Sequence, residues 1–323
     1  MVRMREASAL SQSETALFLW PPPCRRKTAM TDRLDMRRLL APIGAERFFA
    51  EYWQSRMALL PLAADDLAFI RETIGPLDPA RLAGAVREGA QAWLANDFVA
   101  HSVFPVDPTN AAQFHDIGAT LYFVNVPLPA LTDSLADFLG APRQKVLASL
   151  FFTPAGGGAV PHFDKNENFT VQLTGAKRWQ VGETPMVPTP PDSYTLGSSA
   201  ITPALAPLLA GARRPPEQTV DLEPGTLLYV PRGTVHHTGA GEPSWSLNLS
   251  YCPAMWLDVL RVGLREQLAA SPRWRGTVTG AGGDPAARDA NPLPELLAEL
   301  RAALDDPGEA EALTRLFLDR PNG

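Results

Sequence analysis

Along this chain the spacing of apolar residues changes period twice. From Asp32 to about Gly89 it is helical, with Phe48, Phe49, Tyr52 and Trp53 on one face at i, i+3, i+4 intervals. Asp65-Asp66 ahead of Leu67, Phe69 and Ile70 supplies a second helix start. After about residue 118 the period falls to two. Thr120–Val126, Val146–Thr153, Phe169–Leu173, Lys177–Val181, Gln218–Leu222, Thr226–Val230 and Trp245–Tyr251 read as strands rich in β-branched and aromatic residues. A short helix over Pro129–Leu139, closed by Gly140, interrupts them. Helical spacing returns over Met255–Ala270 and Leu293–Leu318. Short strands at this density, punctuated by Gly and Pro, predict a mainly β fold, a barrel or double-sheet jelly roll with helical N-terminal and C-terminal segments.

The expected divisions are residues 1–30 as a leader without stable structure, 31–117 as a helical part packed on the barrel, 118–253 as the barrel, and 254–323 as C-terminal helices. Residues 1–30 are polar and interrupted by Pro21-Pro22-Pro23, and capped helical patterning begins just after Met30, which could be the true start. Residues 277–292, rich in Gly, Ala and Asp, read as a linker.

Composition narrows the function classes. The 323 residues are 45% hydrophobic and 20% charged, ordinary for a globular protein able to bury a full core. A net charge of −6 argues against nucleic-acid binding. Two cysteines, Cys24 and Cys252, form no disulfide framework and suit the cytoplasm. No apolar run reaches membrane-spanning length, and Ala16–Trp20 is too short for a signal-peptide core.

The candidate chemistry lies in Pro161-His162-Phe163-Asp164. Strand alternation aims residues i and i+2 the same way, so His162 and Asp164 share one space while Phe163 packs behind. A further histidine, His236, follows the turn Pro231-Arg232-Gly233-Thr234-Val235. Two imidazoles and one carboxylate, with open positions opposite, suit non-haem iron(II). An isolated HxD arises often by chance, and a buried histidine is commonly only a hydrogen-bonded core residue. The chain has five histidines, and their placement in these two segments favours the metal reading. His237 should face away from His236.

The stretch Pro154–Val181, with His162, Asp164, Asn168, Gly175, Lys177 and Trp179, resembles the metal-binding core of the JmjC (cupin) oxygenases; Gly225–His237 resembles their second ligand strand. The likeness extends over about residues 40–255, and is greatest to bacterial ribosomal-protein hydroxylases and the asparaginyl hydroxylase of the hypoxia response. It implies a double-stranded β-helix holding iron(II) on His162, Asp164 and His236, with 2-oxoglutarate and O2 as co-substrates. It assigns Lys177 to the distal carboxylate of 2-oxoglutarate, since that anion needs a buried cation; Arg178 would face outward. Asn168, Thr170, Asn248 and Ser250, and Tyr122 and Asn125 on an earlier strand, are further co-substrate contacts on this likeness, although solvent-facing polar alternation explains each about equally well. Ala159 departs from relatives that carry a hydroxyl residue there.

The implied reaction is hydroxylation of a protein or peptide side chain with release of succinate and CO2, and the C-terminal helices would form a homodimer arm. The rivals are a hydroxylase of a free amino acid or natural-product intermediate, and a non-catalytic metal-binding cupin. Lys177 speaks against the latter, because a structural metal needs no buried cation beside it. A zinc-dependent cupin isomerase fits poorly, because three open positions are more than zinc generally uses.

Overall fold

The computed structural model describes residues 34–86, 89–94, 102–107, 110–276, 293–305, 308, 311–313 and 315. The expected leader and the expected linker lie outside the described residues.

Among the described residues, thirteen strands build two facing sheets. In chain order they are β1 (Ala58–Pro61), β2 (Ala90–Leu94), β3 (Ser102–Val106), β4 (Thr120–Phe123), β5 (Val146–Thr153), β6 (Gly158–Phe163), β7 (Glu167–Thr174), β8 (Lys177–Gly182), β9 (Tyr194–Thr195), β10 (Glu217–Leu222), β11 (Thr226–Val230), β12 (His236–Gly239) and β13 (Ser244–Tyr251). The major sheet has eight strands in the order β1-β11-β7-β13-β5-β4-β2-β3, and the minor sheet five in the order β10-β8-β12-β6-β9. Every pairing is antiparallel. This is the expected jelly roll.

Alternation along β7 explains how the sheets are used. Phe169, Val171 and Leu173 are buried on the outer face of the major sheet, against Phe48, Leu131 and Leu135 from the helical segments. Asn168 and Thr170 point the other way, between the sheets. The helix Pro129–Leu139 forms over the expected span and ends at Gly140, whose φ of 64° suits a residue without Cβ. The C-terminal helix covers Trp256–Ala269, and a further helix Leu293–Leu304. No helix among the described residues is long and apolar enough to cross a membrane.

The segment read as helical up to Gly89 differs from expectation. Its helices are short, Met36–Leu39, Ala45–Arg47 running into a π-helical turn over Phe48–Tyr52, then Ala64–Ile74 and Pro79–Ala85. Between them Ala58–Pro61 forms β1 and extends the major sheet beside β11. Strands β2 and β3 also fall within residues 31–117 and continue that sheet past β4. Pro61 and Pro105 sit in β1 and β3, the two edges, where a missing N–H is tolerated.

Candidate metal centre

His162 is the penultimate residue of β6 and Asp164 follows immediately after the strand, while His236 opens β12, the neighbour of β6. Register places His236 directly opposite His162. Their rings lie 4.2 Å apart between centroids, and one donor atom from each of His162, Asp164 and His236 falls within 4.8 Å of the others.

Both imidazoles are held in a ligand-ready orientation. His162 Nδ1 lies 2.7 Å from the Val160 carbonyl, and His236 Nδ1 lies 3.0 Å from the Thr234 carbonyl. A carbonyl can only accept, so both Nδ1 atoms carry a proton, and Nε2 is the nitrogen of each ring turned to a metal. Burial, reinforced by the nearby His162, pushes the His236 pKa down to about 4, so the ring is neutral at pH 7. Asp164 is oriented by a directional chain of amides. Thr170 Oγ1 donates to Asn248 Oδ1 at 3.3 Å, Asn248 Nδ2 to Asn168 Oδ1 at 3.0 Å, and Asn168 Nδ2 to Asp164 Oδ2 at 2.7 Å. Two imidazole nitrogens and one carboxylate, all converging, fit a divalent transition metal.

The turn carrying His236 is pinned to the loop carrying Asp164. The Gly233 N–H donates to the Asp164 carbonyl at 2.7 Å, and the Gly233 carbonyl accepts from Met186 N–H at 2.8 Å. Gly233 has φ of 78°, and a Cβ there would meet the Val187 carbonyl oxygen at 1.8 Å, so only glycine fits. Phe163 and Val235, the immediate neighbours of the site histidines, are fully buried in a small separate core with Val187 and Leu205.

Between the sheets lies a cavity of about 140 Å³ that all three side chains line. Lys177, Tyr122, Asn168, Thr170, Asn248 and Ser250 line the same space. Lys177 is 4% exposed, donates to Ser246 Oγ at 3.1 Å, and sits over the Phe151 ring at 5.7 Å. No carboxylate pairs with it among the described residues, and burial pulls its pKa down to about 7. Arg178, one residue on, points outward and forms an exposed ion pair with Asp221 at 2.7 Å. His237 likewise faces a separate outer groove of about 820 Å³ beside Arg178 and Gln180, on the far side of the minor sheet from the three converging side chains.

Asn125 is not brought to the cavity. Its left-handed φ of 52° turns the chain away just after β4. The cavity also gains residues that the pattern did not single out, among them Trp93, Thr120, Phe151 and Thr153. The Trp93 ring meets His162 edge-on at 5.9 Å, as Trp179 stacks on His236 at 5.4 Å. Phe151 and Thr153 share a face of β5, a signal that alternation carries, whereas Trp93 lies on the unforeseen β2.

Comparison with known proteins places this geometry in context. Residues 129–258 match the family model described as JmjC domain. Human ribosomal oxygenase 1 is 36% identical over 265 residues, covering 75% of this chain and 39% of that protein. The uncharacterized protein YxbC of Bacillus subtilis (strain 168) is 29% identical over 183 residues, covering 53% and 56%. The chain thus spans about half the length, or less, of these two relatives. The structure of YcfD, a ribosomal oxygenase from Escherichia coli, aligns with a TM-score of 0.50 at 21% identity over 82% of this chain and 68% of that one, a likeness of fold.

Proposed function

We propose that this chain, which carries a JmjC domain across residues 129–258, is an iron(II)- and 2-oxoglutarate-dependent dioxygenase that hydroxylates a side chain of a protein or peptide. The observation that carries the reading is Lys177, a buried ammonium with no carboxylate partner among the described residues, facing the same small cavity as the three metal-type donors. An anionic metabolite spanning from the metal position to that cation satisfies both ends.

In this reading His162 and His236 bind the metal through Nε2 and Asp164 through its carboxylate. Iron(II) with 2-oxoglutarate and O2 supplies the oxidising power for inserting oxygen into a C–H bond, with succinate and CO2 as co-products. The protein's part is positioning. Lys177 neutralises the distal carboxylate, and its hydrogen bond to Ser246 fixes the ammonium. The amide chain from Thr170 to Asp164 keeps that carboxylate aimed at the metal, which limits ligand reorganisation during the reaction. Tyr122, stacked on Phe151 at 4.5 Å, and Trp93 wall the cavity and exclude water around the reacting atoms.

The human relative's name makes ribosomal protein the first substrate source to test. The cytoplasm, where ribosomal protein is made, is the proposed compartment. Trp256, Leu257 and Leu260 are exposed on the C-terminal helix and are the residues we assign to a homodimer arm. The function is tested by succinate release in the presence of iron(II), 2-oxoglutarate and ribosomal peptides. Peptide-dependent turnover with a product 16 Da heavier supports it. Turnover that responds to free amino acids and never to peptides would replace the substrate class, and no turnover with a fully metal-loaded protein would favour a non-catalytic cupin.

A further inference from the structure

Beside the site, β7 opens with a carboxylate that the proposed chemistry leaves unused. Glu167 is fully buried, on the face opposite Asn168. It lies under an aromatic cap in which Trp53 stacks on both Tyr229 and Tyr251, at 6.1 and 6.2 Å. The Tyr229 hydroxyl donates to Glu167 Oε2 at 2.7 Å and itself accepts from Gln54 N–H at 2.9 Å. On its other side Glu167 accepts from Arg232 N–H at 3.3 Å and forms an ion pair with the Arg232 guanidinium at 3.3 Å. Burial raises the Glu167 pKa, while Tyr229 and Arg232 oppose the shift.

A buried ion pair gives little net stability over an apolar replacement of the same shape, because both charges lose hydration. Its retention here needs another reason, and its location supplies one. Arg232 stands in the turn that delivers His236. Asn168, the residue after Glu167, holds Asp164 from the opposite face of the same strand. Both ligand-bearing loops are therefore tied to consecutive residues at the start of β7, and to each other through Gly233 N–H and the Asp164 carbonyl.

We infer that Glu167 is a positioning residue for the metal centre, fixing the His236 turn through Arg232 and linking that turn to the N-terminal cap through Tyr229 and Gln54. The inference rests on the reading of His162, Asp164 and His236 as metal ligands. Its consequence is that metal affinity depends on a carboxylate that does not touch the metal.

The test measures cobalt(II) binding to the full chain by its visible absorption at 10 °C, well below unfolding, with metal-free melting temperatures recorded in parallel. Glu167→Gln keeps the side-chain shape and removes the charge. It is expected to weaken cobalt(II) binding at least tenfold, within the range seen when groups supporting metal ligands are removed. Tyr229→Phe leaves the Glu167–Arg232 pair in place and should weaken binding less. Arg232→Lys, which keeps a cation, should fall between wild type and Arg232→Met. A Glu167→Gln protein that melts earlier yet binds cobalt(II) like wild type would show a merely structural role and overturn the inference. So would Tyr229→Phe weakening binding as much as Glu167→Gln does. If Glu167→Gln does not fold, Arg232→Met, altered at a residue 8% exposed, decides by the same criterion. Failure of wild type itself to bind cobalt(II) would instead defeat the metal reading.

Discussion

Replacing Lys177 by methionine should make the unliganded protein more stable and nearly abolish its affinity for 2-oxoglutarate. Burial lowers the lysine pKa from 10.5 to about 7, and each unit corresponds to about 1.4 kcal/mol. Below pH 7 the ammonium therefore burdens the folded state by up to about 5 kcal/mol relative to a neutral side chain. The sign follows from proton counting. Between pH 7 and 10.5 the unfolded chain holds the proton and the folded chain sheds it, so wild-type stability rises with pH across that window. The advantage of Lys177→Met should be largest below pH 7 and vanish above about 10.5. Binding moves the opposite way. Removing the cation leaves the distal carboxylate buried and unpaired, which typically costs about 3–5 kcal/mol, or roughly two to four decades of affinity. Denaturant melts of the metal-free protein between pH 6 and 11 measure the first effect, and anaerobic calorimetric titration of 2-oxoglutarate into the iron(II) form the second. A Lys177→Met protein that is less stable than wild type at pH 6, yet binds 2-oxoglutarate equally tightly, would show that Lys177 is neither a buried burden nor the partner of the distal carboxylate.

Further outcomes follow from the same geometry. Wild-type affinity for 2-oxoglutarate should fall as pH rises above 7, by up to tenfold per unit, because binding must first restore the Lys177 proton; a flat profile by calorimetry between pH 7 and 9 would contradict this. Arg178→Ala, removing an exposed pair on the outer face, should leave 2-oxoglutarate affinity within about twofold, measured by the same titration. His162→Ala and His236→Ala should lose iron(II) binding in metal analysis after anaerobic reconstitution, while Asp164→Ala should lose succinate-forming turnover and retain at most weak metal binding. Gly233→Ala must accommodate a left-handed backbone at about 1–3 kcal/mol and a clash with the Val187 carbonyl, so iron(II) binding should collapse; Gly241→Ala, with nothing within 4 Å, should bind iron(II) like wild type.

What the sequence disclosed depended on how local each determinant is. The strands Val146–Thr153 and Thr226–Val230 form over the spans that alternation predicts, because their side chains meet a buried face along their whole length. His162, Asp164 and His236 were visible because two of them share one strand-end pattern and the third follows a Pro-Gly turn. Lys177 and Arg178 separate to opposite faces for the same reason of period. The short strands were hidden. Ala58–Pro61 lies between helical patterns and becomes a strand only by pairing with β11, while the two-residue β9 exists only against β6. Trp93 stayed hidden with β2, and Glu167, in a run of polar residues, gave no local sign that Arg232, 65 positions later, would reach it.

Adding 2-oxoglutarate to the iron(II)-loaded protein without oxygen, and recording the visible spectrum, shows whether one cavity holds both together. Chelation of the metal by the keto acid gives a charge-transfer band. The band should appear at one equivalent of iron(II) in wild type, be absent in His162→Ala, and return in Lys177→Met only at a 2-oxoglutarate concentration higher by about two decades or more. An iron-loaded wild-type protein that gives no band, or a Lys177→Met titration that overlays the wild-type curve, would mean that the cavity does not hold the keto acid between the metal and Lys177.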